Sequence, residues 1–274
     1  MIGIVGGGRM GRGLALALGE AGERVELWSR REAGSPAGVL EGARTIILAV
    51  PDDAIGLVAG SIGPMVTAEH VVLHLSGLHD RSALLPLEPT GAALGSVHPL
   101  QTIPDPATAA ERWRGAYAAL EGDPRAQTEG ERLARLLGLH PIRLPSGAKP
   151  LYHAAAVVAS NYVVVLAALA ARLAEQAGVP SEAAARLYLP MVQGAAENLQ
   201  RSAPADALTG PIRRGDVATI RTHLSQLAPA DREWYAALGL EALRLARAAG
   251  LEPDRADAVE RVLRGEESGP GGVW

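Results

Sequence analysis

The fold is decided by the first eleven residues, Met1-Ile2-Gly3-Ile4-Val5-Gly6-Gly7-Gly8-Arg9-Met10-Gly11. The apolar run 2–5 predicts a buried strand, and residues 13–21 predict the helix that follows it. Between them, Gly6, Gly8 and Gly11 give the pattern Gly-x-Gly-x-x-Gly, which between a strand and a helix is typical of a dinucleotide site. Gly6 permits the tight turn, Gly8 lets a pyrophosphate approach the backbone, and Gly11 lets the helix pack on the strand. The helix N-terminus would then face the phosphates, unless the glycines form only a structural turn.

The second predicted strand, residues 24–28, ends in Ser29-Arg30-Arg31. At this point a carboxylate would bind the ribose 2′-OH of NAD, whereas arginine beside a small hydroxyl side chain suits the 2′-phosphate of NADP. The three residues include no acid, so the sequence favours NADP over the alternative of two solvated arginines. The residues predicted to contact this cofactor are Gly6, Gly8, Arg9, Met10, Gly11, Ser29, Arg30, Arg31, Val50, Pro51 and Ser76.

The rest of the first half alternates strands with helices, and further strands are predicted at 45–50, 71–75, 93–97, 117–121 and 140–144. Continuous apolar strands of this kind are typical of a parallel sheet that is buried on both faces. Asp52 and Asp53 are expected to cap the next helix. Ser76, His98 and Gln101 each follow a predicted strand end, where open parallel sheets bind their ligands.

Long alanine-rich helices follow the linker 145–148. The first is predicted to run to about Ala177, and its part 154–171 is long enough to suggest a membrane span. Polar residues interrupt that part, which favours burial in a domain core or a subunit interface. Ser181 is expected to cap a second helix and Pro190 to kink it. Later helices are predicted at 217–227, with Asp216 as its cap, and at 230–249 and 255–264.

The bulk composition excludes several classes of function. The 274 residues carry a net charge of −4 and no cysteine, so we expect no nucleic-acid or membrane partner and no thiolate metal site. We expect no metal ion, because no His/Asp/Glu cluster has ligand spacing, and no signal peptide, because the first predicted strand begins at residue 2. A chain without cysteine suits a reducing compartment, so we also expect a cytoplasmic location. A Gly-x-Ser-x-Gly motif is also missing, which disfavours a serine hydrolase.

Candidate catalytic residues gather where the two halves meet. Lys149 and His153 are four residues apart and share a helical face if their helix begins early enough. Ser160 would lie in line with His153, and Asn161 about 80° round the helix. His98 from the first half is the other candidate. A donor in this cluster could stabilise the charge that develops on a carbonyl or imine and supply its proton.

Gln101, Ser160 and Arg214 are the predicted substrate ligands, with Arg214 suited to a carboxylate. Structural alternatives exist for several candidates. Lys149 could be a solvated linker charge, His153 a packing residue and Asn161 a partner of another helix. The segment 210–216 could be only a turn and a helix cap.

Four longer patterns are more specific than the glycine pattern: Gly-Ser-Val-His-Pro-Leu-Gln at 95–101, Lys-Pro-Leu-Tyr-His at 149–153, Ala-Ser-Asn at 159–161 and Gly-Pro-Ile-Arg-Arg-Gly-Asp at 210–216. In these patterns the chain resembles, nearly end to end, the Rossmann-like proteins whose helical second half is a domain of unknown function. Those proteins are relatives of ketopantoate reductase, pyrroline-5-carboxylate reductase and the deazaflavin-dependent NADP oxidoreductases.

The resemblance implies an α/β fold class, with an N-terminal Rossmann parallel sheet and an all-helical C-terminal domain. The expected domains are an NADP-binding domain at 1–148, a helical substrate and dimerisation domain at 149–265 and a flexible tail at 266–274. In related β-hydroxyacid-type reductases a catalytic lysine has an asparagine four residues later. Here Lys149 has His153 at that distance, which leaves the proton donor open among His153, Lys149 and His98.

The function expected from these observations is NADPH-dependent reduction of a small C=O or C=N substrate, with keto acids among the candidates. A ketopantoate reductase and a pyrroline-carboxylate-type imine reductase are alternatives within the enzyme class. A homodimer formed through the helical domain is expected. The alternative outside the enzyme class is a sensor or scaffold that binds NADP without turnover.

Overall fold

The computed structural model describes residues 1–31 and 35–266 of the chain. They form two compact units that divide between Val164 and Val165. The division lies beyond the predicted boundary at residue 148, because the helix that begins at Lys149 is anchored in the sheet of the first unit. Of the predicted tail 266–274, only Glu266 is among the described residues.

The first unit is built on a sheet whose strands are β1 (Ile2–Val5), β2 (Val25–Trp28), β3 (Thr45–Leu48), β4 (Val71–His74), β5 (Ala93–Pro99), β6 (Tyr117–Gly122) and β7 (His140–Arg143). In the described part of the chain these seven strands form one sheet in the order β2-β1-β3-β4-β5-β6-β7. Strands β1 to β5 are parallel, whereas β6 is antiparallel to β5 and parallel to β7. The expected Rossmann sheet is confirmed as a mainly parallel one, since the chain reverses direction between the neighbours β5 and β6.

The helices of the first unit are α1 (Arg9–Glu20), α2 (Ala37–Leu40), α3 (Ile55–Ile62), α4 (Ala109–Trp113), α5 (Pro124–Leu136) and α6 (Lys149–Ala159). Helices and turns cover both faces of the sheet. The adjacent β3 residues Ile46 and Ile47 belong to different core clusters, because successive side chains of a strand point to opposite faces. Burial on both faces explains why β3 is apolar throughout.

The second unit is helical throughout its described residues. Helix α7 (Asn161–Gln176) begins in the first unit and continues into the second, and α8 (Ser181–Leu187), α9 (Leu189–Arg201), α10 (Pro204–Ala207), α11 (Pro211–Arg214), α12 (Val217–Gln226), α13 (Pro229–Ala248) and α14 (Pro253–Arg264) follow. Its core joins α12, α13 and α14 through Ile220, Leu243 and Val259. The expected all-helical second half is therefore confirmed.

The predicted helix caps and the predicted break are correct at some positions and wrong at others. The break before Pro190 and the cap at Asp216, which accepts a hydrogen bond from the Thr219 amide at 3.1 Å, are confirmed. The cap at Ser181 is wrong, because Ser181 is already the first helical residue and its helix has no side-chain cap. The caps at Asp52 and Asp53 are also wrong, since Asp52 instead accepts a hydrogen bond from Ser76.

The long apolar helix is interrupted and exposed. Ser160 separates α6 from α7 with φ −122° and ψ −65°, so the single continuous helix that was predicted is wrong. The segment Lys149–Gln176 is long and apolar enough to cross a membrane by length and composition alone, and its most apolar window is not buried in the chain. Burial of this helix in a domain core is therefore wrong. Burial in a subunit interface stays a prediction.

Candidate functional site

The glycine turn has the close contacts that its sequence predicts. Gly6 adopts φ +127°, and a β-carbon there would lie 2.2 Å from the Ala49 carbonyl oxygen. A β-carbon at Gly11 would lie 1.9 Å from the Gly6 carbonyl oxygen, so α1 can approach β1 this closely only with glycine. Around Gly8, by contrast, a β-carbon would meet nothing within 4 Å. The backbone of Gly8 is thus open to a ligand at the start of α1.

A cavity of about 650 Å³ adjoins this turn and lies entirely within the first unit. Four arginines line it, namely Arg9, Arg12, Arg30 and Arg31, and no carboxylate is present among the described residues of its wall. Glu32 lies outside the described residues. The volume is typical of small-molecule and cofactor sites. Its charge suits a ligand that carries several phosphates.

Most residues predicted to contact a cofactor line this cavity, including Gly6, Gly8, Ser29, Val50 and Pro51. Three predicted residues do not. Met10 packs against the core of the first unit, Gly11 is buried at the contact of α1 with the glycine turn, and the Ser76 hydroxyl donates a hydrogen bond to Asp52.

The wall also contains a donor that sequence reasoning missed. The indole Nε1 of Trp28 is buried and has no hydrogen-bond partner in the described part of the chain. Trp28 lines the cavity at the end of β2. A buried N–H without a partner costs free energy, so this donor is consistent with a site that is completed by a ligand. Together with the glycine turn and the arginines, it indicates that the residues present fit a dinucleotide phosphate.

A hydrogen-bond network leads from the cavity wall to the next strand ends. Asp52 follows the wall residue Pro51 and accepts a hydrogen bond from Ser76 Oγ at 2.9 Å. Ser76 Oγ in turn accepts from the amides of Leu78 and His79 at 3.1 and 3.0 Å. These bonds hold the turn that follows β4 beside the end of β3.

His74 at the end of β4 is held as a neutral imidazole. Its Nδ1 accepts a hydrogen bond from the Ser76 amide at 3.2 Å, which leaves Nε2 to donate to the Asp80 carbonyl oxygen at 3.0 Å. Burial and the nearby Lys149 cation lower the pKa of His74 to about 4. His74 therefore supports the turn and is neutral near pH 7.

Lys149 is completely buried. Its ammonium group donates hydrogen bonds to the Ser76 carbonyl oxygen and, at 2.8 Å, to Ser96 Oγ. Burial lowers the pKa of Lys149 to about 8, against the opposing effect of the carboxylates Glu121, Asp52 and Asp80. The alternative of a solvated linker charge is therefore wrong.

Two side-chain hydrogen bonds join β5 to the beginning of α6. Ser96 and His98 are two residues apart in β5 and point to the same face, and Lys149 and Tyr152 share a face of α6. Ser96 binds Lys149, and His98 Nδ1 lies 3.1 Å from the Tyr152 hydroxyl. Lys149 and His153 were predicted to share a helical face if their helix begins early enough. Helix α6 begins at Lys149, so the two residues lie on one face.

Gly77 brings two histidines together. A β-carbon at this position would lie 2.7 Å from His153 Cδ2 and 2.9 Å from His98 Nε2, so only glycine leaves room for both rings. The ring centroids of His98 and His153 are 6.4 Å apart. Burial, together with the charge of Lys149, lowers the pKa of His98 to about 4, and burial raises the pKa of Tyr152 to about 12. His98 is thus a neutral imidazole and Tyr152 a neutral phenol near pH 7.

The structure thus brings Lys149, His98 and His153 together. The other candidates are elsewhere. The Gln101 side chain accepts a hydrogen bond from the neighbouring Thr102 amide at 2.9 Å. No hydrogen bond within the described ranges joins the Ser160 or Asn161 side chain to the cluster, and the helix break at Ser160 changes the spacing on which they were aligned.

Arg214 and His98 also differ from their predicted placement. Arg214 belongs to the second unit, where it lines a separate cavity. The placement of His98 after a strand end is wrong, because β5 continues to Pro99 through its pairing with β6.

Sequence reasoning missed Tyr152, Ser96, His74 and Asp52 as members of the site. Tyr152 lies inside the pattern Lys-Pro-Leu-Tyr-His, one helical turn from Lys149, and could have been found by its spacing. A second signal is that Lys149 is the only lysine of a chain otherwise rich in arginine. Asp52 and His74 looked like a cap and a strand residue, and only the contact between strand ends reveals them.

Residues 116–242 match the family model described as Domain of unknown function (DUF2520). No curated protein matches the chain in sequence. Protein TM1727 from Thermotoga maritima is 22% identical with a TM-score of 0.65, over 96% of this chain and 100% of that chain. A Bacteroides fragilis protein, described provisionally as an NADP oxidoreductase, is 22% identical with a TM-score of 0.63, over 90% and 96% of the two chains.

Pyrroline carboxylate reductase from Plasmodium falciparum, solved with NADP bound, is 14% identical with a TM-score of 0.54, over 94% of this chain and 97% of that chain. Identities of this size show a shared fold. They confirm the expected resemblance to Rossmann-like proteins that carry a helical second half. Other structural neighbours are described as a pyrroline-5-carboxylate reductase from Coxiella burnetii and an imine reductase from Bacillus cereus.

Proposed function

We propose that this protein is an NADPH-dependent reductase of a small C=O or C=N substrate. The observation that carries the proposal is the chain of contacts from the arginine-lined cavity to the histidine pair. Pro51 lines the cavity, Asp52 binds Ser76, and Gly77 contacts His98 and His153. A cluster of proton-bearing side chains is therefore connected to this cavity through Asp52 and Ser76, near the strand ends where such sheets bind ligands.

The preference for NADP is supported by the charge of the cavity wall. Ser29, Arg30 and Arg31 line it at the end of β2, and Arg9 lines it from the first turn of α1. Guanidinium groups bind phosphate oxygens bidentately, which suits the 2′-phosphate. When bound, the reduced nicotinamide supplies a hydride to the substrate carbon.

We assign proton donation to the substrate oxygen or nitrogen to His153. The pKa of about 4 keeps His98 unprotonated near neutral pH, so His98 is a poor acid there. Lys149 is completely buried and its ammonium group is bound to Ser76 and Ser96, which favours a positioning role. His153 is half-buried and borders the same glycine. Tyr152 and His98 then position its ring.

The experiment is NADPH oxidation, followed by absorbance, against a panel of 2-keto acids and cyclic imines. We expect turnover of at least one panel member. His153→Ala should lower kcat by about 10²-fold or more while NADPH affinity holds, and Tyr152→Phe should lower kcat by about tenfold. His140→Ala, an exposed histidine of β7, is the matched control. Wild-type turnover by His153→Ala would contradict the assignment, and NADPH binding without turnover of any panel member would favour a sensor.

We also propose that the exposed apolar face of α6 and α7 binds a second copy of the chain. Leu151, Val158 and Val164 are 80%, 58% and 70% exposed, and large exposed apolar surface marks interaction sites. A bilayer suits this segment less well, because its first turn holds the buried Lys149 against the sheet. The proposal agrees with the homodimer expected from the sequence.

A further inference from the structure

The segment 208–214, which the proposed reaction leaves without a role, lines two adjoining cavities of the second unit. The larger, about 730 Å³, is lined by Arg213, Arg214 and Arg255. The smaller, about 280 Å³, is lined by the apolar or aromatic residues Trp234, Tyr235 and Leu238. Leu208 and Thr209 line both cavities, so a cationic surface and an apolar surface meet at one place.

The three guanidinium groups make few internal bonds. Arg213 Nη2 donates to the Ala249 carbonyl oxygen at 3.0 Å, and Arg255 Nη1 donates to the Arg214 carbonyl oxygen at 3.4 Å. Arg214 lies 3.9 Å from the Asp216 carboxylate, and its side chain is 64% exposed. Because each guanidinium has five N–H donors, these contacts leave donors for a ligand. Asp206 and Glu252 also line this cavity, so its excess positive charge suits a single carboxylate better than a polyanion.

The apolar cavity is fixed by its own contacts. Trp234 Nε1 donates to Asp231 Oδ1 at 3.1 Å, and the Tyr235 hydroxyl lies 2.8 Å from His223 Nδ1. Both polar groups are therefore engaged elsewhere, and the rings offer apolar surface to the cavity. Such surface, next to a few charged donors, is the usual composition of a small-molecule site.

We infer that the second unit binds a small organic acid whose carboxylate lies against Arg214 and Arg255 and whose apolar group enters the Trp234–Leu238 cavity. This inference concerns the second unit by itself and stands whether or not the protein is a reductase. It predicts selectivity for acids that carry an aromatic or branched aliphatic group, since either end of the ligand alone would leave one cavity unused.

The test is calorimetric titration of the full chain with 3-phenylpropanoate, acetate, inorganic phosphate and 3-phenylpropanamide. We expect 3-phenylpropanoate to bind about tenfold or more tightly than acetate, phosphate or the amide. Arg214→Gln should weaken its binding by about tenfold, and Leu238→Ala should reduce its advantage over acetate. Arg244→Gln is the matched control. Arg244 is an exposed arginine on α13, the helix that also carries Leu238, and it lines neither cavity.

Equal binding of the acid and the amide would overturn the inference, because the arginines would then contribute nothing. Equal binding of phenylpropanoate, acetate and phosphate would overturn it by showing general attraction of anions. Unchanged binding in Arg214→Gln, or an equal loss in Arg244→Gln, would place the ligand elsewhere. Circular dichroism of each variant checks that it is folded.

Discussion

The buried ammonium group of Lys149 makes the stability of the protein depend on pH in a defined direction. Burial lowers the pKa of Lys149 from 10.5 to about 8. Between these two values the unfolded chain keeps the proton, whereas the folded chain has released it. The free energy of unfolding therefore rises with pH through this window, and the gain is lost as pH falls back from 10.5 to about 8.

The size of the effect follows from the two pKa values. At about 1.4 kcal/mol for each pH unit, the difference between 10.5 and about 8 corresponds to roughly 3–4 kcal/mol. Solvent screens this difference little, because none of the Lys149 side chain is exposed. We expect the wild type to gain about this much stability relative to Lys149→Met between about pH 7.5 and about pH 10.5.

Two assays check this expectation. Urea unfolding of both proteins across the pH range gives the stability difference directly, and Arg24→Met, at an exposed side chain paired with Glu26, is the control. Since Lys149 is the only lysine, lysine labelled with ¹³C at the ε position gives a single side-chain resonance that reports the pKa. A resonance that titrates near 10.5, or a stability difference that stays constant with pH, would refute the buried network.

Three further predictions follow from the geometry. Arg30→Asp should weaken NADPH binding by about tenfold or more and leave NADH binding nearly unchanged; equal losses in a fluorescence titration would contradict the role of the arginine. Gly77→Ala should destabilise the protein by about 1–3 kcal/mol and lower kcat, since its β-carbon meets both histidine rings; Gly19→Ala, where a β-carbon meets nothing within 4 Å, is the control. Val164→Arg should yield monomers in sedimentation velocity, while Leu57→Arg, at a similarly exposed position on α3, should not; a dimer in both would mean a different interface.

The sheet, the glycine turn and most helices could be predicted because local sequence determines them. Apolar runs of four to six residues mark buried strands, and the glycine pattern between a strand and a helix has one common structural meaning. Helix breaks were harder to predict. A helix break near Pro190 is predicted because proline has no N–H to donate. The helix break at Ser160 lies in an alanine-rich run that contains no such signal.

The candidate site could be predicted only in part because its contacts join distant residues. The four-residue spacing of Lys149 and His153 predicts a shared face once a helix is assumed. Their contacts with residues of the sheet could not be predicted, since these depend on which strands are neighbours. Asp52 illustrates the difference: locally it is a suitable helix cap, yet in the fold its carboxylate binds Ser76, 24 residues away.

The most direct test of the central claim is a pair of fluorescence titrations of the wild-type protein with NADPH and with NADH. The arginine-lined cavity predicts that NADPH binds at least about tenfold more tightly than NADH. Equal affinity for the two would contradict the assignment of Ser29, Arg30 and Arg31 to the 2′-phosphate. Failure of both to bind would contradict the dinucleotide site itself.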